Sequence, residues 1–249
     1  MPADNRAAWN ATSREYQAQH RIPTDDAYYG PRAPPESTLG LVGEVRGKRL
    51  LEIGCGGGQA SIAFAKQGAF VAGKDLSEEQ LAFARELAAQ EGVRVEFHQG
   101  TVEVLPEFAD RSLDIVFSAW ALPYVEHIGS CFREVHRVLR PGGLFVFSYG
   151  HPFSYKVSER GPPWTVTGRY WDVAVEWHWN DDPAGPLFRE FQRPIGELFQ
   201  ELRDAGFAVD RIVEPAPLEH EVDSWDVSYP LERLKRIPST LIFRAVKPG

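Results

Sequence analysis

Between residues 48 and 150, short apolar runs alternate with stretches of helical period. Arg49-Leu50-Leu51-Glu52-Ile53 reads as a buried strand that runs into Gly54-Cys55-Gly56-Gly57-Gly58. A helical stretch from Gln59 to Gln67 follows, then a second strand, Ala69-Phe70-Val71-Ala72-Gly73, ending near Asp75. Ser77-Glu78-Glu79-Gln80 has the form of a capping box, a serine and a glutamine that satisfy each other's backbone N–H groups at a helix start. Leu81, Ala84, Leu87 and Ala88 then mark one apolar helix face. Val93 to Phe97 alternates as a third strand, and Leu113 to Phe117 is a fourth. The next helix puts Cys131, Phe132, Val135, Val138 and Leu139 on one face; Pro141-Gly142-Gly143 stops it, and Leu144 to Phe147 is a fifth strand. Strand, helix, strand at this spacing predicts a parallel sheet with right-handed crossovers and helices on both faces.

The pattern breaks between residues 150 and 193. Trp171, Val173, Val175, Trp177 and Trp179 recur with period two, which predicts a strand with an aromatic face. Asn180 to Gly185 is a turn cluster, and Phe188 to Arg193 is the returning partner of a hairpin. Three uses of that face stay open: burial against the sheet, a substrate pocket, or a homodimer contact. Regular signals then resume. Ile195, Leu198, Phe199 and Leu202 form a helix face, Gly206 ends it, and Phe207 to Val213 and Thr240 to Val246 are strands.

Charge and composition narrow the function. The 249 residues carry 27 Lys plus Arg against 35 Asp plus Glu, a net charge of −8. That balance is ill suited to holding nucleic-acid phosphates. Two cysteines, Cys55 and Cys131, make neither a disulfide framework nor a metal knuckle. His127 and His136 stand roughly 900° apart around a helix, on opposite faces, and no H-x-x-x-H occurs, so no metal site is predicted. No apolar stretch approaches the roughly 18 residues of a membrane span, and Met1 to Trp9 has no signal-peptide core. The expectation is a cytoplasmic protein with neither membrane nor nucleic-acid partners.

A strand running into a glycine-rich turn and a helix presents free backbone N–H groups at a positive helix end, where a nucleotide-like ligand can approach the main chain. A dinucleotide site asks for G-x-G-x-x-G, but Gln59 occupies the third glycine's place. Glu52-Ile53-Gly54-Cys55-Gly56-Gly57-Gly58 resembles instead the E/D-x-G-x-G-x-G signature of class I S-adenosylmethionine-dependent methyltransferases. A carboxylate at Glu52 suits the ammonium group of that ligand. The resemblance implies that Asp75, at the end of the second strand, takes the ribose hydroxyls and that Leu76 packs on adenine. Where the family has Gly-Asp-Ala, this chain has Gly100-Thr101-Val102, so the Thr101 hydroxyl and the Val102 N–H would serve the adenine edge. Asp114 to Ala121, with Ser118, match the segment lining the methionine arm, and Leu139-Arg140-Pro141-Gly142-Gly143 matches the family's L-[KR]-P-G-G turn. His151-Pro152-Phe153, Ala205-Gly206-Phe207 and Glu214-Pro215 are similar to a bacterial small-molecule subgroup; its histidine pair is replaced by Phe191-Gln192-Arg193. The implied cofactor contacts are Glu52, Gly54, Cys55, Gly56, Gly58, Asp75, Leu76, Gln80, Thr101, Val102 and Ser118.

Cys55 fills a variable slot of the motif, where packing is the simpler role. His151 leaves the carboxyl end of a strand, where ligands bind in open α/β sheets; it reads either as a general base or as a hydrogen-bonded turn histidine. Tyr124 has the same standing. Tyr16 and Tyr28-Tyr29-Gly30-Pro31 lie where the family's amino-terminal segment folds over the active site. The expected fold is a Rossmann-like seven-stranded, mostly parallel sheet with the last strand antiparallel, helices on both faces and an aromatic insertion after the fifth strand. It forms one domain over residues 1–249: a lid segment (1–45), a cofactor-binding core (46–150), the aromatic insertion (150–193) and the rest of the sheet (194–249). The expected function is methyl transfer from S-adenosylmethionine to a small-molecule acceptor by direct displacement at the sulfonium methyl. Alternatives are an RNA or protein methyltransferase, a cofactor-binding protein without transferase activity and, furthest from the motif, a nicotinamide oxidoreductase.

Overall fold

Apolar runs that are buried on both faces can only lie inside a sheet covered on both sides. The computed structural model, which describes residues 4–158, 162–220 and 230–249, has this arrangement. Its strands are β1 (Arg49–Ile53), β2 (Phe70–Asp75), β3 (Val95–Gln99), β4 (Leu113–Ala119), β5 (Leu139–Gly150), β6 (Ala174–His178), β7 (Leu187–Phe191), β8 (Ala208–Val213) and β9 (Thr240–Val246). Seven of them form one sheet in the order β3-β2-β1-β4-β5-β9-β8. The first five run parallel, and β9 is antiparallel to both its neighbours, as expected.

The helices are α1 (Asn5–Gln19), α2 (Glu36–Leu39), α3 (Gln59–Lys66), α4 (Glu78–Gln90), α5 (Ile128–Val138), α6 (Ile195–Asp204) and α7 (Leu231–Leu234). Successive strand residues face opposite sides, so the two cores split the strands between them. Leu50 packs with Phe64 of α3 and with Tyr29 and Val42 of the amino-terminal segment. Leu51, its neighbour, belongs to the other core, which holds Phe132 of α5 and Leu198 of α6. Strand order reverses between β1 and β4, so the crevice at their carboxyl ends is the topological switch point where open α/β sheets take ligands.

Four local expectations are corrected. β3 starts two residues later than the alternation implied, because the Val93 N–H closes the end of α4 on the Ala88 carbonyl at 3.1 Å. Pro141-Gly142-Gly143 bulges inside β5 instead of preceding it: Leu139 pairs with Leu113, and pairing resumes at Leu144 with Ile115. The aromatic strand is shorter than its period-two pattern. Its ladder ends at Ala174 opposite Phe191, which leaves Trp171 in a turn, 70% exposed. On α6, Leu198 and Leu202 are buried but Phe199 is exposed.

The helix α1 has no counterpart in the sequence reading. Asp4 caps it, its side chain accepting the Arg6 and Ala7 N–H groups. Arg6 reaches Glu78 at the start of α4 at 2.9 Å, and Asn5 exchanges two 2.9 Å hydrogen bonds with the Arg189 backbone on β7. The helix thereby bridges the core and the hairpin. Among the described residues, no helix is long and apolar enough to cross a membrane.

Candidate active site

A cavity of about 680 Å³ opens at the carboxyl ends of β1, β2 and β4, beneath α1 and the β6–β7 hairpin. Its volume suits one or two small organic molecules. The glycine loop forms its floor. Gly54 turns the chain at φ +67, and a Cβ there would collide with Ala121. The Gly54 and Cys55 N–H groups both donate to the Lys74 carbonyl, at 2.7 and 3.1 Å, which pins the loop across the end of β2.

Asp75 sits where loop and helix meet. One carboxyl oxygen accepts the Gly56 N–H at 2.8 Å and the other accepts the Ser77 N–H at 2.9 Å. Burial pushes its carboxyl above the ordinary range, and these amide donors oppose the shift. The expected capping box is therefore half formed. Ser77 accepts the Gln80 N–H at 3.1 Å, but Asp75 holds the Ser77 N–H that Gln80 was expected to cover. The freed Gln80 side chain accepts from Gln17 of α1 at 2.8 Å, and Gln17 accepts from Gln59 at 2.7 Å. Gln59, the residue that breaks the dinucleotide pattern, is thus a link between roof and floor.

Glu52 ends β1 beneath the loop, 3% exposed, with the Ser61 hydroxyl donating to it. Burial pushes its carboxyl up to about 8. Asp26, Glu103, Glu126 and Glu190 also face the cavity, whereas none of the described lining residues is lysine or arginine. Buried carboxylates without cations destabilise their own charged form. A cationic ligand entering here would relieve that penalty, and an anion would meet it.

Of the sequence-predicted cofactor contacts, Glu52, Gly54, Cys55, Gly56, Asp75, Leu76, Gln80, Thr101 and Val102 line this one cavity. Two do not. Gly58, at φ +78, faces Ala84 and Phe97, so its missing side chain lets α3 close on α4 and β3. Ser118 is fully buried one position below Ala119, which does line the cavity, and its hydroxyl has no hydrogen-bond partner. His151 is also outside. Its Nδ1 accepts the Phe153 N–H at 3.2 Å, so Nε2 carries the proton toward Glu214 at 2.7 Å, the arrangement of a turn histidine. Tyr124 does face the cavity, with its phenol pushed well above the ordinary range by burial and by the adjacent Glu190.

Trp9 and Gln17 from α1, His20 just past its end, Tyr155 after β5 and Glu190 on β7 also line the wall and were not foreseen. The one usable signal was Asp4 ahead of a run of helix formers, with Trp9 and Tyr16 two turns apart on one face. Trp177 and Trp179 also face the cavity, and Trp177 stacks on the buried Phe188 at 4.5 Å. The hairpin's aromatic face is therefore divided between the cavity wall and an outward-facing Trp171.

Residues 51–147 match the family model described as a methyltransferase domain. A ubiquinone biosynthesis O-methyltransferase of Pseudomonas syringae pv. tomato is 34% identical over 197 residues, 76% of this chain and 79% of that protein. The crystal structure of an S-adenosylmethionine-dependent methyltransferase from Mesorhizobium loti is 31% identical, with a TM-score of 0.65 over 84% of this chain and 95% of that one. The 1,6-didemethyltoxoflavin-N1-methyltransferase of Burkholderia thailandensis, solved with bound S-adenosylhomocysteine, is 22% identical. It shares the fold at a TM-score of 0.54 over 86% of this chain and 75% of that one.

Proposed function

Because the chain belongs to the class I S-adenosylmethionine-dependent methyltransferases, we propose that it methylates a hydroxyl oxygen on a planar small molecule. S-adenosylmethionine is the cofactor and a small molecule the acceptor; the choice of oxygen follows the O-methyl chemistry named for the Pseudomonas syringae relative. When bound, the cofactor supplies a methyl group already activated by its sulfonium.

The residues present fit that group. It brings an ammonium and a sulfonium against one carboxylate, a net positive charge, into a cavity lined by carboxylates with no lysine or arginine among the described lining residues, and this match is the observation that carries the reading. Glu52 would balance the cationic methionine end. Asp75, oriented by the Gly56 and Ser77 amides, would accept the ribose hydroxyls. Leu76 and Val102 would flank adenine, with Thr101 at its edge. Gln17, tied to Gln59 and Gln80, would keep α1 shut over the cofactor and exclude water. The aromatic wall would then hold a flat acceptor in line with the methyl group, since alignment is the protein's main contribution to such a displacement.

Thermal unfolding tests the cofactor half. S-adenosylhomocysteine at about 100 times its Kd adds roughly 2.7 kcal/mol, which raises Tm by about 5–10 °C in a chain this size; NADH should give no shift. Transfer of a labelled methyl from S-adenosylmethionine to a panel of hydroxylated aromatics tests the acceptor half. Label appearing only on nitrogen or sulfur acceptors would sink the oxygen assignment.

A further inference from the structure

We propose that Glu190 receives the acceptor's hydroxyl proton, in a subsite that selects neutral over acidic acceptors. This rests on the methyl-transfer reading above and extends it to the half of the cavity that the cofactor residues leave open. Glu190 points from β7 into the cavity and is 8% exposed. Its Oε1 accepts the Trp177 indole N–H at 3.0 Å, and the Tyr124 hydroxyl is a second donor. A carboxylate offers about four acceptor positions, and these donors orient it. Behind it on β5, burial raises the Tyr149 phenol, with Arg193 opposing the shift and Glu190 adding a smaller push.

Four of the other carboxylates are engaged elsewhere, and Glu126 stands exposed to solvent. Glu52 lies under the glycine loop with Ser61, and Asp75 holds the Gly56 and Ser77 amides. Asp26 accepts the Ala27 and Ser37 amides, and Glu103 is bonded to Thr101 and the His127 N–H. Glu190 alone of this group is held by two aromatic donors, in the wall where a flat acceptor would lie. In the step, the acceptor oxygen forms its bond to the methyl carbon as the sulfur–methyl bond breaks, and the breaking bond's electron pair stays on sulfur. The hydroxyl proton passes to the Glu190 carboxylate. With no lysine or arginine among the described lining residues, the wall offers an acceptor's own carboxylate no permanent counter-charge.

The test compares wild type, Glu190→Gln and His20→Gln on catechol, 4-nitrocatechol and 3,4-dihydroxybenzoate. His20 is the rival base, a half-buried imidazole whose Nδ1 has no hydrogen-bond partner. General-base removal typically lowers rate by roughly 10²–10⁴-fold. Glu190→Gln should show a loss of that size on catechol but under about tenfold on 4-nitrocatechol, whose nitro group already favours the ionised hydroxyl. S-adenosylhomocysteine affinity, read by calorimetry, should be unchanged. The benzoate should show at least a tenfold higher KM than catechol in wild type. Trp177→Phe, which removes one donor and keeps the carboxylate, should give the same selectivity with a smaller loss, and it stands in if Glu190→Gln does not fold. Equal losses on both catechols, or an acidity-dependent loss in His20→Gln instead, overturn the assignment to Glu190. A wild type that binds S-adenosylhomocysteine but methylates no hydroxylated aromatic overturns the oxygen reading, and the Glu190 step with it.

Discussion

Asp75 and Gly56, nineteen residues apart in sequence, meet at 2.8 Å through a carboxyl oxygen and a backbone N–H. The bond ties the end of β2 to the glycine loop, so one side chain shapes the loop and faces the cavity. Asp75→Ala should weaken S-adenosylhomocysteine binding by about 2 kcal/mol, close to 30-fold in Kd, as expected for losing hydrogen bonds to a charged group. Isothermal calorimetry reads this directly. Unchanged affinity would remove Asp75 from the cofactor site.

Glu52 sets a pH dependence. Its carboxyl, ordinarily near 4.5, is pushed up to about 8 in the folded protein by burial. Between those values the native state holds a proton that the unfolded chain has lost. The free protein should therefore lose stability as pH rises through that window. Glu52→Gln should flatten this slope in urea titrations. The ammonium group of S-adenosylhomocysteine prefers ionised Glu52, so affinity for this ligand should rise from pH 6 to 7.5, by at most about tenfold per unit, and not in the variant. Parallel pH profiles for the two proteins would refute the role of Glu52.

Gln17 is the clasp of the roof. Two neutral hydrogen bonds join it to Gln80 and Gln59 at 2.8 and 2.7 Å, each contributing about 1 kcal/mol. Gln17→Ala should speed S-adenosylhomocysteine dissociation by about tenfold or more, with association little altered, in stopped-flow chase experiments. An unchanged off-rate would mean that α1 does not gate the cofactor.

Glu36 is a structural carboxylate that does not line the cavity. It is buried and accepts the N–H groups of Leu41, Val42 and Gly43 and the Tyr29 hydroxyl. Removing it orphans several buried donors at roughly 1–3 kcal/mol each. Glu36→Ala should lower stability by about 3 kcal/mol or more, about 6–12 °C in Tm, while S-adenosylhomocysteine Kd at 15 °C stays within twofold. A Kd that rises with the loss of stability would place this segment in the site.

The core was legible because its signals are local. The glycine loop, the apolar runs of β1, β2 and β4 and the face of α5 each declare themselves within a dozen residues. The differences came where direction mattered more than type. Ser118 and Ala119 are neighbours on β4, and the pleat sends one into the core and the other to the cavity wall. Gly58 lies outside the cavity lining, with Ala84 and Phe97 against it, an approach that only the folded chain creates. His151, at a strand's carboxyl end, left two readings open, and its ring turns to Phe153 and Glu214 as a turn histidine's does.

Period, glycine spacing and the carboxylates at two strand ends were enough to dictate the sheet, its family and the floor of the site, because backbone geometry there leaves few alternatives. The roof was decided in three dimensions. Asn5 meets Arg189 across 184 positions, and Gln17 meets Gln80 across 63. Glu190 enters the cavity only because β7 pairs with β6 in the register that sets Phe191 opposite Ala174. No local pattern encodes such meetings; they follow from how α1 and the hairpin pack over the open end of the sheet.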